Sequence, residues 1–358
     1  MADEQQLRCL IAAGGTAGHV LPAIAVAQAL TERGVHVTFA GSPDRVEAQL
    51  VPDAGYELDT FRITGIPRRP SVAFVRSLML AGAAPRACRR ILRRRRPHVV
   101  LGGGGFVAGP MVFAASTLRI PAALSEADAH LGLANRLAAP FARRIFLAYP
   151  IGMRYSGKAR VVGRPIPDRS RAIPQPEARA AFDLPLEGRV LGVFGALAGA
   201  HSLNELVADT WGTAGPAILH LTGRRDFDLV RQRARRDDYR VVAETEHFGA
   251  ALSACDLILA RSGGTVWEIA AAGKPAVLVP YPFATGDHQA VNAQHFVAEG
   301  GAIMVRELDL DDVPELVRSL LADDARLARM GAAMLGAARP GAAGEIADEL
   351  IALAVPKR

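Results

Sequence analysis

The first residues that could do chemistry are a glycine-rich turn and the histidine that follows it. Gly14, Gly15, Thr16, Gly18 and His19 lie where a short apolar run gives way to a helical pattern. Glycines let a ligand approach the backbone, and the start of a helix offers N–H groups and a positive dipole end that stabilise a diphosphate or a developing anion. A histidine there is expected to stay neutral and accept a proton, so His19 is a candidate general base. The alternative is a polar helix-start residue without a catalytic role.

The second apolar run argues against a nicotinamide cofactor. A dinucleotide-binding unit places Asp or Glu about 20 residues after the glycine turn, where it binds the ribose. Here the run ends Phe39-Ala40-Gly41-Ser42, without an acid. A nicotinamide-dependent dehydrogenase is therefore disfavoured, and no cofactor is predicted.

Short apolar runs alternate with amphipathic helices, and the pattern occurs twice along the chain. Each half opens with a strand, a glycine turn and a helix, and such series form parallel sheets with helices on both faces. We predict an α/β protein of two tandem Rossmann-like domains, with a ligand cleft between them at the carboxyl ends of the strands. The predicted strands are Leu7–Ala13, Val35–Ala40, His98–Leu101, Pro121–Leu124, Arg144–Leu147, Arg189–Phe194, Ala217–Leu221, Arg240–Ala243, Leu257–Ala260 and Ala276–Val279.

The domain boundary is predicted within a segment rich in Pro, Arg and Ala. This segment, Val161–Pro185, is interpreted as the connection between the domains. The first domain is predicted to span residues 1–163 and the second residues 164–339. The last helix, within residues 340–358, is a candidate for packing back on the first domain.

Composition narrows the class of protein without choosing a ligand. The chain has 358 residues, of which 50% are hydrophobic, and a formal net charge of +6. A basic protein can meet nucleic acid, an anionic membrane or phosphorylated substrates. Cys9, Cys88 and Cys255 lack metal-binding spacing, which favours buried thiols in a reducing compartment. Neither a signal peptide nor an apolar run of about 18 residues is recognised, so we expect a cytosolic protein that at most rests on a membrane.

Two three-residue segments each contain two aspartates separated by one apolar residue, which is the form of acidic pairs that bind a metal ion. Asp226-Phe227-Asp228 lies among arginines and is interpreted as a solvated charge mix. Asp309-Leu310-Asp311 precedes a helical pattern and is interpreted as a helix N-terminal cluster. No metal site is predicted.

Longer motifs resemble one family closely. GGTAGHVLPAIAVAQAL at residues 14–30, ITGIPRR at 63–69 and GGGGFVAGP at 102–110 resemble the N-terminal half of MurG-type glycosyltransferases. RSGGTVWEIAAAGKPAVLVPYP at 261–282 and DHQAVNA at 287–293 resemble the C-terminal half. The resemblance implies a GT-B fold and inverting transfer of N-acetylglucosamine from UDP-N-acetylglucosamine to undecaprenyl-diphosphate-linked N-acetylmuramyl-pentapeptide, in peptidoglycan synthesis. The enzyme would work on the cytoplasmic face of the cell membrane.

The resemblance also implies site residues. It matches Glu268 to a carboxylate on the donor ribose, Gln289 to an amide on the donor sugar, and Phe248 to an apolar residue beside the uracil. Catalytic roles are predicted for His19 and Glu126, the latter as a second candidate base. The predicted acceptor side comprises Gly14, Gly15, Gly104 and Asp128. The predicted donor side comprises Thr16, Gly18, Arg164, Gly195, Leu197, Phe248, Arg261, Gly264, Thr265, Glu268 and Gln289.

Several positions depart from the family pattern. Ser125 and Asp128 stand where the family has histidine and asparagine, and Leu197 stands for a phosphate-binding serine. Pro167 replaces an arginine, for which Arg164 could substitute, and His201 replaces another. These departures leave open a transferase for another lipid acceptor, or a catalytically weakened paralogue that binds lipid.

A basic and apolar segment is the predicted membrane patch. Arg68 and Arg69 precede Phe74, Val75, Leu78 and Met79, and apolar residues with basic neighbours suit anionic lipid. The alternative is a buried amphipathic helix. The run Arg93–Arg96 is interpreted as a basic helix end or an extension of that face. Nucleic acid is not a predicted partner, because no recognition motif accompanies the charge.

Overall fold

The computed structural model describes residues 6–65, 72–151, 157–195 and 200–355, without the side chains of residues 72–76, 78 and 285. The chain divides into two compact units. The first comprises Met1–Pro167 with Pro340–Arg358, and the second comprises Asp168–Arg339.

Each unit is built on one parallel sheet, which confirms the predicted α/β class. The strand order is β3-β2-β1-β4-β5-β6-β7 in the first unit and β10-β9-β8-β11-β12-β13 in the second. Strands of the first unit are β1 Arg8–Ala13, β2 His36–Gly41, β3 Glu57–Thr60, β4 Val99–Gly104, β5 Ala122–Glu126, β6 Arg144–Leu147 and β7 Ala159–Val161. Strands of the second are β8 Val190–Phe194, β9 Ala217–Leu221, β10 Tyr239–Val242, β11 Leu257–Ala260, β12 Ala276–Leu278 and β13 Ala302–Met304.

The ten predicted strands are present within a few residues of their predicted bounds, whereas β3, β7 and β13 were missed. All three missed strands lie at sheet edges. Strands β3 and β7 carry charged residues and are half exposed, so their sequences lack the continuous apolar runs that reveal strands buried on both faces, whereas β13 is apolar but only three residues long.

Helices cover both faces of the first sheet. Cys9 and Ile11 of β1 pack in one core with the first and last helices of the unit, whereas Leu10 packs in the opposite core. The helices are α1 Ala17–Glu32, α2 Glu47–Asp53, α3 Val72–Arg95, α4 Ala108–Thr117, α5 Leu133–Ala138 and α14 Ala342–Ala354. Ile346 and Leu350 of α14 are wholly buried against α1 and the sheet, so the last helix completes the first unit.

The second unit has a comparable arrangement. Its helices are α6 Gln175–Ala181, α7 His201–Trp211, α8 Phe227–Arg233, α9 Phe248–Ala254, α10 Val266–Ala271, α11 His288–Ala298, α12 Val313–Leu321 and α13 Asp324–Ala337. Helix α6 lies within the segment predicted to be a connection. It is fixed by Arg179, whose buried guanidinium pairs with Asp256 at 2.7 Å. Within the described ranges, no helix has the length and apolar character to cross a membrane.

Candidate active site

The turn after β1 and the turn after β4 meet in the first unit. A Cβ atom on Gly105 would lie 2.0 Å from the carbonyl oxygen of Gly14, and Gly105 has a φ of +74°. Only glycine allows both this close approach and this backbone conformation. The predicted acceptor-side residues Gly14, Gly15 and Gly104 are therefore brought together, although about 90 residues separate the two turns in the sequence.

His19 lies in the first turn of α1, against these glycines. Its Nδ1 is 3.2 Å from Thr16 Oγ1, and its backbone N donates to the Thr16 carbonyl. A Cβ on Gly104 would lie 2.6 Å from His19 Cδ2, so the imidazole packs directly on the β4 turn. Burial lowers the pKa of His19 below its ordinary value of 6.5, with Arg164 acting in the same direction and Asp128 and Glu47 opposing it. A neutral imidazole is the form that accepts a proton.

One backbone N–H of the glycine turn is already occupied. Gly15 N donates to the Glu47 carboxylate at 2.9 Å, so this group does not serve an external anion. The sequence predicts that the amides of this turn are available to a phosphate or a developing negative charge. The structure reduces that set by one.

Glu126 ends β5 and organises the loop that follows it. Its Oε2 accepts hydrogen bonds from Gly132 N at 2.9 Å and from Asn135 Nδ2 at 3.0 Å, and its Oε1 accepts one from Asp128 N. Burial raises the pKa of Glu126, whereas these hydrogen bonds oppose that effect. A carboxylate with both oxygens occupied is suited to holding the loop that carries Asp128. A role as second base stays a prediction.

Arg164 joins this loop to α1. Its buried guanidinium donates to the Gly18 carbonyl at 2.6 Å and to the Ala127 carbonyl at 3.0 Å. The first unit runs to Pro167 and thus includes Arg164, which the predicted domain limits had placed at the start of the donor domain. Both bonds are to carbonyls of the first unit, so the side chain connects the loop after β5 to the first turn of α1, where His19 lies.

In the second unit, Glu268 is the best-placed candidate for a ribose ligand. It lies in the first turn of α10, and its Oε1 accepts a hydrogen bond from Ser170 Oγ at 2.5 Å. Ser170 belongs to a short 3-10 turn, Asp168–Ser170, that is held on α9 because Ile173 N donates to Ser253 Oγ. The carboxylate is thus oriented by a residue 98 positions away.

Phe248, at the start of α9, packs on Phe194 with a ring-centroid separation of 5.6 Å. Phe194 is the last residue of β8, and Gly195, the first residue of the second glycine-containing turn of the sequence (residues 195–199), follows it. The aromatic ring is partly exposed at the carboxyl end of the sheet. This placement is compatible with the predicted contact to a base and with a half-buried core residue.

Gln289 and the turn before α10 lie close together. A Cβ on Gly263 would be 3.8 Å from Gln289 Nε2, and Gln289 Oε1 accepts a hydrogen bond from Tyr281 N at 2.9 Å. Because the amide oxygen is used, the Nε2 group is the end directed at the turn. Gly264 and Thr265 continue this turn into α10, which groups them with Glu268 and Gln289.

Arg261 is engaged within the second unit. Its guanidinium pairs with both carboxylate oxygens of Glu307 and donates to Ser202 Oγ at 2.9 Å. The pKa of Glu307 is lowered although burial opposes the shift, because Arg261 and Ser202 bond to the charged form. This pair fixes the first turn of α7, which follows the second glycine turn. A direct phosphate contact by Arg261 stays a prediction, as does one by Gly195; Leu197 lies outside the described residues.

The interpretation of Asp226 as part of a solvated charge mix is wrong, whereas Asp228 of the same segment is exposed. Asp226 is 4% exposed, and its carboxylate accepts hydrogen bonds from Asn204 and Arg225 and lies 3.2 Å from His201 Nδ1. Asn204 in turn contacts the wholly buried His220. In the part of the chain that the structure describes, there is no cluster of three His, Cys, Asp or Glu residues that could hold a metal ion.

Three residues near the candidate site had not been predicted from the sequence: Ser170, Glu47 and Asn135. Their polar side chains are buried, and each bonds a residue of a predicted motif or turn: Glu268, Gly15 and Glu126 respectively. Asn135 lies in α5, nine residues after Glu126, and this short separation was the one local signal. The other two lie in segments without a motif.

The predicted membrane patch falls largely outside the described residues. Arg68 and Arg69 are not described, nor are the side chains of Phe74, Val75 and Leu78; Met79 is 66% exposed on α3. At the end of α3, Arg94 and Arg95 both bond the buried Asp59, so the arginine run is partly used within the fold.

A second group of exposed apolar side chains lies on neighbouring elements of the first unit. We call it the α4–α5 apolar group. Phe113 and Phe141 pack edge to face with centroids 5.0 Å apart, and α4 packs on both α3 and α5. Its members are Phe113, Leu133, Leu137 and Phe141.

Comparison with known proteins gives matches over both units. The model of the glycosyltransferase family 28 N-terminal domain matches residues 9–147, and that of the C-terminal domain matches residues 190–346. A relative from Acidithiobacillus ferrooxidans is 41% identical over 96% of each chain, and one from Paenarthrobacter aurescens is 42% identical over 90% of each. Both are named UDP-N-acetylglucosamine–N-acetylmuramyl-(pentapeptide) pyrophosphoryl-undecaprenol N-acetylglucosamine transferase.

Solved structures agree with these matches. The crystal structure of Acinetobacter baumannii MurG is similar with a TM-score of 0.78 and 25% identity, over 97% of this chain and 99% of that one. A UDP-GlcNAc 2-epimerase from Neisseria meningitidis is similar with a TM-score of 0.67 at 14% identity, over 97% of this chain and 100% of that one, which shows a shared fold alone.

Proposed function

The chain belongs to glycosyltransferase family 28, and we propose that it transfers N-acetylglucosamine from UDP-N-acetylglucosamine to undecaprenyl-diphosphate-linked N-acetylmuramyl-pentapeptide. The observation that carries this proposal is the near-complete alignment with relatives of that name at about 40% identity. The resemblance drawn from the sequence motifs is thereby confirmed at the level of the family.

The donor is assigned to the second unit. Glu268 accepts hydrogen bonds from the ribose hydroxyls, and Ser170 keeps one of its oxygens in place. Gln289 presents its amide nitrogen to the sugar, and Phe248 lies beside the base. The amides at the start of α7 and Gly195 face the diphosphate, where helix-start N–H groups stabilise negative charge.

The acceptor and the proton transfer are assigned to the first unit. The sugar hydroxyl of the acceptor attacks the anomeric carbon, the bond from that carbon to the diphosphate oxygen breaks, and UDP leaves with inversion. His19 takes the hydroxyl proton, since its lowered pKa keeps it neutral. Glu126 and Arg164 hold the loop around His19 through backbone hydrogen bonds.

Contact with an anionic membrane surface is assigned to the same unit. The acceptor carries a lipid, so the enzyme must work at the bilayer surface. Met79 and the α4–α5 apolar group expose apolar side chains on adjacent helices, together with basic residues such as Arg136 and Arg143. Apolar side chains with basic neighbours suit the interface of an anionic bilayer.

The experiment is a turnover assay with purified lipid-linked muramyl-pentapeptide and several UDP-sugars. We expect UDP release and a new disaccharide with UDP-N-acetylglucosamine, and much slower turnover with other UDP-sugars. Isothermal titration with UDP-N-acetylglucosamine accompanies the assay. A chain that binds the donor but never glycosylates this acceptor would point to another lipid acceptor, and one that does not bind it would end the proposal.

A further inference from the structure

A wholly buried carboxylate lies behind the first glycine turn. Glu47 is the first residue of α2, and its side chain is inaccessible to solvent. Its Oε2 accepts a hydrogen bond from Gly15 N, and its Oε1 accepts one from Ser42 N, both at 2.9 Å. One side chain therefore connects the turn after β1 with the turn after β2.

The backbone makes room for this carboxylate. A Cβ atom on Gly14 would lie 2.3 Å from Glu47 Oε1, and one on Gly41 would lie 2.6 Å from Glu47 Cγ. Any other residue at Gly14 would force the carboxylate or the turn to move. Burying a charged group is costly unless hydrogen bonds compensate it, so this arrangement is maintained by the two N–H donors.

The turn that Glu47 holds is the one that orients His19. Gly15 is followed by Thr16, whose carbonyl accepts from His19 N and whose Oγ1 is 3.2 Å from His19 Nδ1. The charged groups that act on the imidazole are Asp128 and Glu47, which favour its protonated form, and Arg164, which disfavours it.

We propose that Glu47 is a positioning residue for glycosyl transfer: it fixes the turn that aims His19 and supplies negative charge that stabilises the imidazolium formed as His19 takes the acceptor proton. The inference rests on the proposed function, since it assumes that His19 is the base. Glu47 itself does not contact substrate, because it is buried behind the turn.

The main test is Glu47→Gln, which keeps the shape but places an amide where the carboxylate accepts two N–H bonds. We expect kcat to fall about 10- to 100-fold, as misplacement of a catalytic group by about 1 Å does, while KM for UDP-N-acetylglucosamine changes less than about twofold. The acidic limb of the kcat profile should move to lower pH, because a negative charge near His19 is lost. Glu57→Gln, at an exposed acid on β3, is the matched control and should leave all three unchanged.

A second variant covers the case in which Glu47→Gln does not fold. Gly41→Ala keeps the carboxylate but presses on Glu47 Cγ, and a smaller loss of kcat in the same direction is expected. Folding of each variant is checked by circular dichroism and thermal unfolding. Parental kcat in the folded variant would overturn the proposal.

An NMR titration separates this proposal from the proposed function. The chain has nine histidines, and His19 is assigned by comparison with His19→Ala. We expect the His19 titration to shift to lower pH in Glu47→Gln, whether or not the parent chain turns over substrate. An unchanged His19 titration would show that Glu47 does not stabilise the imidazolium. If the parent chain is inactive but the titration shifts, only the proposed transferase activity is overturned, and the effect of Glu47 on His19 stands.

Discussion

Ser170 donates a hydrogen bond to Glu268, with 2.5 Å between Ser170 Oγ and Glu268 Oε1. The serine is buried in a 3-10 turn, and the glutamate lies in the first turn of α10. The hydrogen bond therefore fixes one carboxylate oxygen of Glu268, the residue proposed to bind the ribose, before any nucleotide binds. This lowers the conformational entropy that the side chain loses on binding.

Removing that hydroxyl should weaken donor binding. In Ser170→Ala, we expect the Kd for UDP-N-acetylglucosamine to rise about five- to tenfold, corresponding to the ~1 kcal/mol that one hydrogen bond contributes. The measurement is isothermal titration calorimetry, with kcat expected to stay near the parental value. Ser116→Ala, which removes a hydroxyl from the end of α4, is the control. An unchanged Kd in Ser170→Ala would mean that Glu268 needs no partner.

The pH dependence of turnover should report the partly buried environment of His19. Its pKa is lowered mainly by burial, and only the neutral imidazole accepts a proton. Activity should therefore stay high as the pH falls through 6.5 and decline only at lower pH. His19→Ala should lose about 10²–10⁴-fold in kcat, the usual contribution of a general base. A fall in kcat that already begins above pH 6.5 as the pH is lowered, or a His19→Ala variant as active as the parent, would exclude His19 as the base.

The Arg261–Glu307 pair should stabilise the second unit more than it binds the donor directly. Arg261→Ala leaves the partly buried Glu307 without its cation, and losing such a charge-assisted pair costs about 1–3 kcal/mol in the free energy of unfolding. Urea unfolding of the two single variants and of Arg261→Ala/Glu307→Ala measures the coupling. We expect both single variants to weaken UDP-N-acetylglucosamine binding equally, because both release Ser202. Weakening by Arg261→Ala alone would instead indicate a direct phosphate contact.

The α4–α5 apolar group should control membrane association. In Leu133→Glu/Leu137→Glu, co-sedimentation with phosphatidylglycerol vesicles should fall about tenfold, since each leucine that enters the interface contributes on the order of 1 kcal/mol. Activity on a short-chain acceptor in solution should be retained. Leu186→Glu, which replaces an equally exposed leucine of the second unit, is the control. Parental vesicle binding by the double variant would place the membrane contact elsewhere.

The sequence predicted the central strands more completely than it predicted the contacts of the candidate site. Central strands such as Leu257–Ala260 are apolar on both faces, so the sequence revealed their bounds. Glu268 and Gln289 were found because their motifs are continuous in sequence. Asp226 was misread, because its neighbours in sequence are arginines, whereas Asn204 and His201 bury it from 22 and 25 positions earlier in the chain.

The sequence alone determined the class of fold, the family and most of the candidate site residues. It did so through the alternation of apolar runs, the two glycine turns and the order of the motifs. Those features are local, because hydrophobic period and turn chemistry act over a few neighbouring residues. The tertiary structure alone decided which polar groups face each other: Ser170 with Glu268, Glu47 with Gly15, and Arg164 with Gly18. Such pairs join segments 32 to 146 residues apart, and only packing of the sheets and helices brings their atoms within hydrogen-bonding distance.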